Sequence, residues 1–240
     1  VRNELLRDRL DVLAATFDVS TISPDPLELV LRYAEPRDQE VAGLIAAAFA
    51  YGRADIIVAN IGRVLEAMTP SPFAYLAAFH RTEASRRFRG FSHRFHKTRE
   101  LVDVLACIAA AIERFGSVGE LFRTCYSDHD DDIAPSLARF VDVLIGRRRT
   151  PALDYLFTSP ANGSACKRMN LYLRWMVRRT SPDLGLWTFV DPAKLVMPVD
   201  THIHRITTFL GLNRRKSVDW KTARALTDRL ARFDQSDPVR

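Results

Sequence analysis

The stretch "MPVDTHIHRITTFLGL", residues 197–212, decides how this chain is read. Pro198 ends whatever precedes it, and Asp200 stands where a helix N-cap belongs. Ile203, Ile206, Thr207 and Leu210 then recur at helical spacing before Gly211 closes the segment. As a cap, an aspartate contributes about 1 kcal/mol. Two other uses stay open at this point: a catalytic carboxylate held at a helix end, or a metal site shared with His202 and His204. The histidines are two apart and point to different faces of a helix, whereas zinc-binding helices favour i, i+4 spacing.

Working outward, the same period recurs along the chain. Apolar faces at three- and four-residue steps predict helices over 3–17, 38–51, 54–68, 98–115, 133–146, 164–179, 200–210 and 217–232. Strand-like alternation is absent. Pro24, Pro26 and Pro36 punctuate the first third, and Gly116 and Gly211 sit where helix ends are expected. The fold class is therefore all-α, one helical domain over 1–240. Hydrophobic residues make up 47% of the 240, enough for a sizeable core and too many for wholesale disorder. Cys107, Cys125 and Cys166 are far apart and have no metal-ligand spacing, which points to a reducing, cytoplasmic setting. No run approaches the ~20 apolar residues of a membrane span, so no membrane partner is expected. The acidic turn "SDHDDD", 127–132, reads as a solvated loop, lacking the spaced oxygens and glycine of a calcium loop. Val1 is not a start methionine and "SDPVR" carries no helix stop, so one or both ends read as trimmed.

Charge is unevenly spread. Residues 151–240 hold 15 Lys+Arg against 8 Asp+Glu, whereas residues 1–150 hold 20 against 21. The excess sits beside the opening motif, as either a solvated surface or a phosphate-facing patch.

That basic part includes "SPANGSACKRMNLYLRWMVRR", 159–179. Asn162-Gly163 signals a turn and Ser164 can cap the helix that follows. Lys167 then falls in the first helical turn, with Met169, Tyr172, Leu173 and Met176 on one apolar face. A lysine beside the positive end of a helix is either a solvated side chain or an amine primed as a nucleophile.

With these residues in view, "PVDTHIHRITTFLGL" resembles the segment of helix-hairpin-helix DNA glycosylases written VDTHxxR, through Val199, Asp200, Thr201, His202 and Arg205. "LIAAAFAYGRADIIVAN", 44–60, is similar to their helix and turn LIAxxLSAQATDxxVN, with Asp55 and Asn60 in register. "AAAFAYGR", "KRMNLYLRWMVR" and "MPVDTHIHR" together resemble a little-characterised bacterial family within that superfamily. The resemblance implies a helix-hairpin-helix glycosylase-like fold of two helical lobes around a basic cleft, with hairpin and catalytic segment at about 159–211. It implies a base-excision repair enzyme acting on damaged double-stranded DNA as a monomer. Asp200 would stabilise the sugar cation, and Lys167 would attack and hold the sugar as an imine, giving AP-lyase activity.

The resemblance also implies DNA contacts at Gly163, Ser164, Arg168, His202 and Arg205. Tyr51 or Arg53 would fill the gap left by a flipped base, because Gly52 stands where a glutamine is usual. Tyr172, Trp175 and Trp187, with Phe189, are candidates for the base pocket. This chain departs from the endonuclease III hairpin LPGVGRKTA in having one glycine, in "ANGSACKRMN". Its lysine-to-aspartate separation is longer, through the insertion "RRTSPDLGLWTFVDPAKLVM", and matches an archaeal oxidised-guanine group, which implies oxidised purine as the base. No set of four thiolates exists for an iron–sulfur cluster, and no cofactor is expected. A non-catalytic DNA- or RNA-binding protein and a metal-dependent hydrolase using Asp200, His202 and His204 remain as rival expectations.

Overall fold

A computed structural model describes residues 2–16 and 18–240. Among these, the chain forms thirteen α-helices and one two-stranded antiparallel sheet. In chain order the elements begin with α1 (Arg2–Ala15), α2 (Leu27–Val30), α3 (Pro36–Ala48), α4 (Ala54–Glu66), α5 (Pro72–Ala77) and α6 (Arg81–Arg87). The hairpin strands β1 (Ser92–His93) and β2 (His96–Lys97) follow, then α7 (Thr98–Phe115), α8 (Val118–Cys125), α9 (Ala134–Ile145) and α10 (Pro151–Leu156). The last three helices are α11 (Lys167–Val177), α12 (Thr201–Phe209) and α13 (Trp220–Leu230).

Their starts follow from local chemistry. Ser71, Ser117, Thr150, Asp200 and Asp219 each accept a hydrogen bond from a first-turn amide of the helix they precede, satisfying donors that have no partner inside the helix. Gly116, at φ +88°, ends α7 in a conformation that a side chain would strain.

Helix α3 runs through the middle of one continuous apolar core, with residues 41–49 all buried. Gly43 lets α11 come close: a Cβ there would meet the Met176 methyl at 3.0 Å and the Tyr172 ring at 3.2 Å. The segment between α11 and α12 is core material. Trp187 is buried, stacks on Phe122 at 4.8 Å, and donates from Nε1 to the buried Glu40 carboxylate at 2.9 Å. Burial raises the Glu40 pKa, against the pull of the Trp187 and Gly119 N–H bonds.

The all-helical expectation holds, and the long helices lie within a few residues of their expected bounds; Phe17, the expected end of the first, lies outside the described residues. Helix α11 starts three residues later than expected, because Ser164 accepts from the Cys166 amide rather than from a helical one. Among the described residues no helix is long and apolar enough to cross a membrane.

Candidate functional site

The first turn of α11 and the cap of α12 meet. Asp200 divides its two carboxylate oxygens between two tasks. Oδ1 accepts from the amides of His202 and Ile203, both at 2.9 Å. Oδ2 lies 4.0 Å from Nζ of Lys167. Both side chains are about one-third exposed, at 31% for Lys167 and 37% for Asp200. An ion pair this wet stabilises the fold by roughly 0–1 kcal/mol, so its geometry has little to do with holding the molecule together. At 4.0 Å the two groups form an ion pair longer than a direct hydrogen bond, and both reach solvent.

The start of α11 is unusual. Its N-cap, Cys166, has φ +49°, a left-handed conformation uncommon for a side-chain-bearing residue, and gives the helix no side-chain cap. The turn before it is docked onto the start of α13. Gly163 accepts from the Trp220 amide at 3.0 Å, and Ser164 bridges Asp219. The Gly163–Ser164 turn is therefore built in, with part of its hydrogen bonding used internally. Asp25 is a neighbour that sequence reading missed, because its flanking prolines read only as punctuation. Burial raises its pKa; the Leu27 amide and the charge of Lys167 pull the other way.

The remaining expected residues separate into two groups. His202, Arg205 and Arg53 are exposed and free to meet a partner, apart from the Arg53 ion pair with Asp55 at 2.7 Å. The other group is corrected by burial. Tyr172, Trp175 and Trp187 are at most 2% exposed and belong to the core, where aromatics at helical spacing deliver their large apolar area. Phe189 stacks on Trp187 at their edge. Arg168 is also buried. Its guanidinium donates to the carbonyls of Ala48 and Tyr155 and lies 4.4 Å over the Tyr155 ring, so it braces the core and is not a phosphate contact. Tyr51 is half-buried, with its hydroxyl 2.5 Å from His96 Nδ1, and cannot swing out to fill a gap without breaking that bond. His204 Nε2 is 2.8 Å from the Arg215 carbonyl, and among the described residues no three His, Cys, Asp or Glu side chains gather where a metal could sit.

Comparison with known proteins decides the family. A family model described as "Protein of unknown function (DUF2400)" matches residues 25–240. The chain belongs to that family. No curated protein and no solved structure matches it. The resemblance to helix-hairpin-helix DNA glycosylases is thereby corrected: the match that spans the chain is to a family of unknown function, and nothing ties it to glycosylases. The physical reason lies in the motif. Its aspartate is an N-cap with two amide bonds, so part of the agreement is helix-start chemistry available to any fold.

Proposed function

We propose that this protein acts on nucleic acid, releasing a damaged base from DNA with Lys167 as the nucleophile and Asp200 as its carboxylate partner. The observation that carries the reading is the 4.0 Å approach of Lys167 Nζ to the Asp200 oxygen that the α12 cap leaves over. The proposal rests on this pair and on the local charge, not on family membership. Two helical lobes with a basic cleft between them are part of the same proposal.

Only a neutral amine attacks. Asp200 Oδ2 takes the proton from Nζ, which then bonds to C1′ of the sugar as the bond to the base breaks. The base leaves with that electron pair and takes the proton that Asp200 accepted; the C1′–O4′ bond then breaks, O4′ taking a proton from the nitrogen, and the opened sugar is held as a protonated imine. Removal of a C2′ proton then expels the 3′ phosphate. As the base takes up the Nζ proton, Asp200 is again a carboxylate, and it lowers the energy of the positive charge on the sugar before the bond to nitrogen is complete.

Borohydride reduction in the presence of duplexes carrying abasic sites or damaged bases tests this. The wild-type chain is expected to form a covalent adduct and Lys167→Gln to form none. Base release without trapping would assign the attack to water, and binding without either reaction would leave a nucleic-acid-binding protein. That second reading draws support from the capping role of Asp200, which is complete without catalysis.

A further inference from the structure

Residues 84–99, "ASRRFRGFSHRFHKTR", contain six Lys or Arg and no Asp or Glu. The near-neutral balance of the first 150 residues hides this run. Three phenylalanines and two histidines are interleaved with the cations, and the fold turns the segment into a surface with two parts.

The first part is aromatic. Strands β1 and β2 pair His93 with His96, so Arg94 and Phe95 form a two-residue turn at the hairpin tip. Arg94 has φ +54°, rare for a long side chain, and its side chain lies over Gly52, where a Cβ would stand 3.3 Å from it. Phe95 is 59% exposed. One ring face stacks on Tyr51 at 5.6 Å and 25°, and Tyr155, 41% exposed, stands edge-on at 5.2 Å. The ring is packed from beneath. Tyr51 is anchored through His96, and Arg168, the residue after Lys167, lies 5.4 Å over Tyr51 and 4.4 Å over Tyr155. Single exposed apolar side chains are ordinary on protein surfaces; what distinguishes Phe95 is the aromatic and arginine packing beneath it.

The second part is a basic groove beside the hairpin, 370 Å³ in volume, with Arg63, Arg87 and Arg89 among its lining residues and Asn60 and Ser92 as further polar groups. Of the groove arginines, Arg87 pairs with Glu83 at 3.2 Å and Arg63 donates to Asn60, whereas Arg89 forms no ion pair among the described residues, and neither do Arg86, Arg94 and Arg99 of the same run.

We infer that the Phe95–Tyr155 platform and the adjoining arginine groove bind a stretch of unpaired nucleotides, a base stacking on Phe95 and the phosphates lying along the groove. Aromatic faces take any base because every base has a π-face, and cations following the backbone supply the electrostatic half of single-strand affinity. A purely apolar partner would leave the arginines unmatched, and an acidic surface would leave the ring without a use. The inference rests on the nucleic-acid part of the proposed function but not on the lysine chemistry, since none of these side chains belongs to the Lys167–Asp200 pair.

The test uses the whole chain with single-stranded DNA and RNA oligonucleotides carrying 2-aminopurine, and with the same sequence fully paired. Binding of the single strands with quenching of the 2-aminopurine emission is expected, the DNA and RNA arms reporting which sugar is preferred. Phe95→Leu keeps an exposed apolar side chain without the π-face. It should weaken binding about tenfold and remove the quenching, while circular dichroism remains that of the parent. Arg89→Glu should flatten the fall of log K with log salt by about 0.7, the share of one phosphate left without its cation. Unquenched emission at saturating protein, unchanged affinity in Phe95→Leu, or binding confined to the paired form would each overturn the inference. Quenching without borohydride trapping removes the lysine reading alone; trapping without quenching removes the platform alone.

Discussion

Asp200 shows how one side chain serves two ends: Oδ1 closes the first turn of α12 while Oδ2 stands opposite Lys167. The two roles separate by substitution. Asp200→Asn keeps an oxygen able to cap and should change stability by well under about 1 kcal/mol, whereas Asp200→Ala should lose roughly that amount. Both should slow base release by about a hundredfold or more, because the charge is gone in each; equal activity in the Asn variant and the parent would remove Asp200 from the chemistry. His93 offers a pH test at the same scale. It is buried, with Nε2 3.1 Å from the Tyr51 carbonyl and Nδ1 3.2 Å from Asn60 Nδ2. The neutral ring satisfies both, donating from Nε2 and accepting at Nδ1. Burial lowers its pKa below the ordinary 6.5, against bonds to Tyr51 and Phe49. The unfolded chain therefore binds the proton first: the stability is fully present above pH 6.5 and is lost as the pH falls through the lowered value. Urea melts at pH 7.5 and 5.5 should show His93→Gln closing its stability gap to the parent at the lower pH. The helix positions of Lys167 and Asp200 were legible because first-turn and cap positions depend on the residues next in line. Arg168 was not: a carbonyl 120 positions away, that of Ala48, decides its role.

At the scale of elements, α11 and the segment after it act as a unit. The stretch that reads as an insertion between Lys167 and Asp200 supplies Trp187, Val190, Leu195 and Val196 to the core, and is tied down by ions. Arg178, 3% exposed, donates from Nε to Asp237 at 2.9 Å and from Nη1 to Asp183, which Arg174 also reaches at 3.1 Å. Burial raises the Asp183 pKa even against both arginines. Removing one partner strands the others, so Arg178→Ala should cost about 3 kcal/mol or more in denaturant melts. A loss below about 1 kcal/mol would mean that water reaches the carboxylates. Gly119 is a second point of tight fit: its amide donates to Glu40 at 3.0 Å, and a Cβ there would run into that carboxylate and the Trp187 indole. Gly119→Ala is expected to lower stability by about 1–3 kcal/mol. Long helices were legible from their period. The short α2, α5, α6, α8 and α10 span too few turns to display one, and the two-residue strands of the hairpin show no alternation.

Across the whole molecule, excess positive charge is concentrated in two stretches of the chain. One is the run at 84–99; the other is the C-terminal part, where Arg214 and Lys216 are exposed while Arg215 is held by Asp219 and Thr222. Reversing Arg214 and Lys216 should reduce the salt slope of duplex binding by about 0.9 for every phosphate no longer neutralised; an unchanged slope would make that stretch a solvated surface. The all-helical class was legible throughout because apolar period alone settles it, whereas the family took comparison along the chain: a short motif that doubles as a helix cap is too small to carry ancestry. The central claim, that Lys167 is the attacking amine, is met most directly by mass-spectrometric mapping of the borohydride-reduced adduct between the wild-type chain and an abasic duplex. The account predicts the sugar mass on the peptide containing Lys167, at its Nζ. An adduct located on Lys194, Lys216 or Lys221, with the Lys167 peptide unmodified, would contradict it.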